Sequence, residues 1–99
     1  MEKKFKEYLL EVFKKALYGF GEEQYEKKRQ LAIGKDAQQK KKSYLQELDK
    51  ISDELSERAV EELEGLGVKS ADDLLAKQGL VKEKMRSVQS QMEKELAGK

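Results

Sequence analysis

Residues 36–64 read DAQQKKKSYLQELDKISDELSERAVEELE and contain neither glycine nor proline. Within them Tyr44, Leu48, Ile51 and Leu55 follow one another at spacings of four, three and four, and Ala59 and Leu63 continue the pattern less strictly. That period marks one face of an α-helix, because residues three and four apart lie above one another on successive turns. At 1.5 Å per residue a helix of this span is about 40 Å long. Such a length needs another helix packed along it.

The flanking sequence offers two partners. Upstream, Phe5, Tyr8, Leu9, Val12, Phe13, Ala16, Leu17 and Phe20 form a broad apolar stripe that predicts a helix over residues 2–18. Gly19 and Gly21 are its expected stop. Residues 19–35 then read as a connector with weaker patterning. Downstream, Gly65-Leu66-Gly67 breaks the long helix, and Ser70-Ala71-Asp72-Asp73 has the Ser-x-x-acid form that caps a helix start. Leu74, Leu75, Val81, Met85, Val88, Met92 and Leu96 give the third helix its face, over residues 71–97. Gly79 lies inside it and costs about 1 kcal/mol relative to alanine, so an interruption between Lys77 and Leu80 is the alternative course.

The expected architecture is therefore one all-α domain over residues 1–99. Helices 36–64 and 71–97 form an antiparallel hairpin, and the N-terminal amphipathic helix packs on it as a three-helix bundle or projects as an arm. An intertwined homodimer is the competing topology, since a seam such as Val81, Met85, Val88, Met92 and Leu96 can pair within or between chains.

Composition bounds the chemistry. Charged residues make up 41% of the chain, apolar residues only 37%, and there is no His, Cys, Pro or Trp. The core should be thin or completed by another chain. Without thiolate or imidazole, nucleophilic and transition-metal chemistry lose their usual side chains. The expectation is a protein that is not an enzyme and needs no cofactor or metal. No apolar run approaches the ~20 residues that span a bilayer, and Met1-Glu2-Lys3-Lys4 leads into an amphipathic segment rather than a signal-peptide core. A soluble, cytoplasmic protein is expected.

The net charge of +1 conceals a strong asymmetry. Residues 25–42 carry seven basic and two acidic groups, whereas residues 43–75 carry three and ten. If the turn near residue 67 closes a direct hairpin, partners have numbers summing to about 134. Lys77 then meets Glu57, Lys82 meets Asp53, and Arg86 lies near Asp49. The segment holding Lys27, Lys28, Arg29, Lys35, Lys40, Lys41 and Lys42 is left without an acidic counterpart in that scheme. It is the first candidate binding surface, for an acidic protein surface or, in a second reading, for phosphates, with Tyr25 or Tyr44 as stacking groups. Phe5, Phe13 and Phe20 of the first helix form the other candidate surface, with core packing as their plainer role.

The run from Leu63 to Leu75, with Gly65-Leu66-Gly67 followed by Lys69, Ser70, Ala71 and a leucine pair, resembles the turn of helix-hairpin-helix DNA-binding modules. The resemblance implies that Gly65, Gly67, Lys69 and Ser70 receive a phosphate. Glu61, Glu62, Glu64, Asp72 and Asp73 surround that position, so an anion approaches a negative field and an ordinary interhelical turn is the expected reading. Function is accordingly expected to be that of a non-catalytic helical protein-binding module: an adaptor, assembly factor or inhibitor. Nucleic-acid binding through residues 27–42 and self-assembly as a coiled-coil scaffold are the alternatives.

Overall fold

A computed structural model describes residues 1–29 and 37–97 of the chain. It is all-α, with helices α1 (Lys3–Arg29), α2 (Ala37–Gly65), α3 (Ala71–Ala76) and α4 (Gln78–Ala97). The molecule is a rod of 49 × 22 × 18 Å.

The first helix does not stop at residue 18. It runs for 27 residues through both Gly19 and Gly21. The reason is tertiary: Gly21 is buried against α2, and a Cβ built there collides with the Leu48 side chain. Glycine at this position permits close approach of two helices, which offsets its poor intrinsic helix propensity. The expected connector over 19–35 is thus helix up to residue 29, and its remainder lies outside the described residues.

The principal hairpin is also different from the one the charge blocks suggested. α1 and α2 run antiparallel along each other. Lys14 Nζ lies 3.3 Å from Asp49 and 3.7 Å from Asp53, Lys41 lies 3.6 Å from Glu26, and the Met1 amino group lies 3.0 Å from Glu64. Asp49 and Asp53 are therefore engaged by α1, not by the basic residues of the C-terminal helix. The Asp49 hydrogen bond raises the affinity of Lys14 for its proton.

α2 ends in a glycine turn built as a Schellman motif. Gly67 has φ +94, its N–H donates to the Glu64 carbonyl at 3.1 Å, and the Val68 N–H donates to the Leu63 carbonyl at 2.9 Å. Leu63 and Val68, which such a motif brings together, are both fully buried. α3 follows at once. Ser70 caps it, its hydroxyl accepting from the Asp73 N–H at 3.3 Å, while the Asp73 carboxylate accepts the Lys69 N–H at 3.0 Å. That backbone donor holds the Asp73 carboxyl below its ordinary pKa.

Helix 71–97 is interrupted at Lys77, whose N–H closes α3 on the Asp73 carbonyl. The interruption displaces the pairing of α4 on α2. Glu62, which a direct hairpin places opposite Asp72, forms an ion pair with Lys84. Lys77 instead donates to the Leu66 carbonyl at 3.1 Å. α4 then packs Val88, Met92 and Leu96 into the core, with Val81 and Met85 half-buried beside it.

α3 has no fully buried residue, and its order rests on its caps together with half-buried Leu74, which packs against the core. Ser70→Ala removes one of the caps and is expected to cost α3 about 1 kcal/mol. Amide hydrogen exchange over residues 71–76 should quicken while the melting of the whole protein barely moves. An equal loss of protection in α2 and α4 would show that α3 is integral to the bundle.

The core contains Leu9, Phe13 and Leu17 from α1, and Leu48, Ile51, Leu55, Ala59, Val60 and Leu63 from α2. Two polar residues, Ser52 and Ser56, are also buried in α2. Their hydroxyls donate to main-chain carbonyls one turn back, those of Leu48 and Asp53. No buried side-chain polar atom among the described residues lacks a hydrogen bond. The α1 stripe is narrower than its sequence suggested: Tyr8 is 56% exposed and Val12 41%.

Candidate functional site

What distinguishes one end of the rod from the other is the reach of α4. Starting from Lys84 beside Glu62, the thirteen residues to Ala97 carry α4 back to about the level of Asp49. Among the described residues, burial stops at that level, with Gly21 the last buried position of α1 and Leu48 the first of α2. Beyond it α1 and α2 continue as a two-helix stalk, about 17 Å long along α2 from Leu48 to Ala37.

The stalk is held together by a few specific contacts. The Tyr25 and Tyr44 rings meet with centroids 4.8 Å apart, tilted by 33°. The Tyr44 hydroxyl donates to the Gly21 carbonyl at 3.1 Å. Burial raises the Tyr44 phenol pKa, with Tyr25 adding to the shift. Lys41 is tied to Glu26 across the pair. The two tyrosines proposed as stacking groups for bases thus stack on each other.

The basic candidates divide accordingly. Lys27, Lys40 and Lys42 are exposed on the stalk, whereas Lys41 is half-buried in its ion pair. The side chains of Lys28 and Arg29, and the whole of Lys35, lie outside the described residues. Consecutive lysines at 40–42 point in different directions on a helix, and only Lys40 and Lys42 are presented outward.

The aromatic candidates are mostly committed to the core. Phe13 is 1% exposed and has no surface to offer a partner in this fold. Phe5 and Phe20 are half-buried and pack against the core. Their sequence spacing was that of one helical face, and the structure places that face inward.

The glycine turn has its amides occupied. Those of Gly67, Val68 and Lys69 donate to the Glu64 carbonyl, the Leu63 carbonyl and the Asp73 carboxylate. The position in which the helix-hairpin-helix resemblance puts a phosphate is therefore approached by a carboxylate of the chain itself. No group of three or more metal-ligating side chains converges among the described residues. None of the described helices is long and apolar enough to cross a membrane.

One surface the sequence did not single out is an open groove along the stalk and its root, lined by Tyr18 of α1 and by Lys42, Leu45, Gln46 and Asp49 of α2. Its α2 residues recur at three, one and three, a signal present in the sequence but without meaning until the α1–α2 register is known. Comparison with known protein families, with curated proteins and with solved structures finds no match to this chain.

Proposed function

We propose that this protein is a non-catalytic helical module that binds another protein through the stalk of its α1–α2 hairpin. The observation that carries this reading is the exposure of Lys27, Lys40 and Lys42 on a two-helix segment that α4 does not reach. The acidic residue of α2 nearest to them in sequence is Glu47, half-buried, and the next two, Asp49 and Asp53, are partnered by Lys14, while α1 brings exposed Glu22 and Glu23 to the same stalk. The α2 edge of the stalk presents Lys40 and Lys42 beside half-buried Tyr44 and Leu45, with Glu22 and Glu23 confined to α1, and that basic edge is suited to an acidic protein surface. Charge of this kind sets orientation and encounter rate more than affinity, while the apolar residues supply the contact area.

The test uses Lys40→Glu with Lys42→Glu. Lys41 is left intact, because reversing it would set two carboxylates together at Glu26. Tagged wild-type protein captured from its native cells should retain a stoichiometric protein partner after nuclease treatment, and the double variant should retain less than about one tenth as much, at unchanged melting temperature. Recovery that disappears with nuclease would instead support contact with nucleic acid. Equal recovery by the variant would remove the stalk lysines from the interface.

A further inference from the structure

The groove between α1 and α2 has a feature that the binding reading does not use. Along it, α2 presents Lys42, then Leu45 and Gln46, then Asp49. Read in the opposite direction, the stripe matches itself by charge: a base at one end, an acid at the other, and a short contact surface between. We propose that this stripe pairs two copies of the chain across a two-fold axis lying between Leu45 and Gln46. The stripe shares Lys42 and Leu45 with the partner-binding reading, and the two are told apart by measuring the purified chain alone, where no other protein is present.

The geometry follows from antiparallel pairing of α2 with α2 of the partner copy. With the axis at that position, residues whose numbers sum to about 91 lie opposite one another, so Lys42 of each copy faces Asp49 of the other. Leu45 of each copy meets Gln46 of the other, and Tyr18 walls the stripe from α1. An isologous contact of this kind uses one patch twice and closes on itself. Both charged groups are accessible for it. Lys42 is exposed, and the Asp49 side chain is 61% exposed even with Lys14 at 3.3 Å.

Along this stripe a second copy engages both ends at once, Lys42 and Asp49, whereas an acidic surface would engage only the Lys42 end. Each ion pair is made twice in the dimer, so a single substitution acts on two sites. Tyr18 and Leu45 pack partly against the chain's own core, so the charged ends of the stripe carry the complementarity.

Sedimentation equilibrium on the purified full chain tests this, from about 1 μM to about 1 mM, at low salt and at about 0.5 M salt, where exposed charges are screened. The wild type should dimerise, more weakly at high salt. Lys42→Glu and Asp49→Lys, each alone, should weaken association at least ~10-fold by opposing like charges at both sites. An equimolar mixture of the two variants should recover it as a heterodimer, because the carboxylate introduced at position 42 then meets the ammonium introduced at position 49.

A wild-type monomer at every concentration overturns the proposal. So does a mixture no stronger than its components, or single variants that dimerise like the wild type. Should Asp49→Lys fail to fold, Gln46→Cys gives an independent answer, since the chain has no cysteine of its own. Oxidation should convert that variant to a covalent dimer while leaving Ser90→Cys, placed on α4, monomeric. Equal cross-linking of both would overturn it.

Discussion

Phe13→Ala is expected to lower the stability of the protein by about 3–5 kcal/mol, the range for removing a fully buried aromatic ring. Phe13 is 1% exposed and lies between Leu9 and Leu17, one turn to either side on the same face of α1, both of them equally buried. The loss combines the transfer energy of the ring with the cavity it leaves. A small domain is held together by only about 5–15 kcal/mol in total, so a large share of that margin disappears. For a domain of about 100 residues the melting temperature should fall by more than about 10 °C. Tyr8→Ala, on the same helix but at a position 56% exposed, should move stability by no more than about 0.5 kcal/mol. Thermal and urea unfolding followed by circular dichroism compare the two. Similar losses would mean that α1 contributes through helix formation and not through a specific buried face.

The contrast bears on function as well as folding. An aromatic on an amphipathic helix is equally legible as core or as interface, because both uses need the same spacing. Phe13 and Leu17 are core by burial. Tyr8 and Val12, from the same stripe, are not. Loss of partner binding in a Phe13 variant would therefore reflect an unfolded protein, whereas the exposed lysines of the stalk can be altered without touching the core.

Periodicity was sufficient for α2, where no glycine competes with it, and the residues it selected from Leu48 to Leu63 are buried. The seam of Val88, Met92 and Leu96 was legible for the same reason. It was insufficient for α1 beyond Gly19, because Leu48 packs on Gly21 and the helix continues through both glycines, although nothing packs on Gly19 itself. The pairing of helices was hidden by degeneracy in charge. Asp49 and Asp53 can attract lysines of either neighbour, and Lys14 engages them. Ser70 was readable as a helix start, and the alternative course in which the following helix stops at Lys77 is the one observed, with α4 restarting at Gln78 instead of Leu80. At the candidate site, the sequence located the lysines but not their presentation. Lys41 differs from Lys40 and Lys42 only through Glu26, which comes near it only once α1 extends past Gly21.

The same contact makes Gly21 the position where a small change should act most unlike its neighbour. Gly21→Val is expected to destabilise the protein by about 1–3 kcal/mol, because Leu48 is fully buried and cannot swing clear of an added side chain. The two helices must separate where the Tyr44 hydroxyl reaches the Gly21 carbonyl, so that hydrogen bond and the Tyr25–Tyr44 stack should weaken with them. Gly19 lies two residues away on the same helix, yet a Cβ added there meets nothing within 4 Å. Gly19→Ala should therefore show only the helix-propensity gain and stabilise by about 0.5–1 kcal/mol. Urea unfolding gives both signs, and near-ultraviolet circular dichroism reports the tyrosine pair. If both substitutions stabilise, α1 and α2 do not approach closely at Gly21, and the stalk beyond it has no fixed geometry from which to present Lys40 and Lys42. If they diverge in sign, the missing Cβ at Gly21 sets how closely the two helices approach, and with it the position of every exposed group beyond.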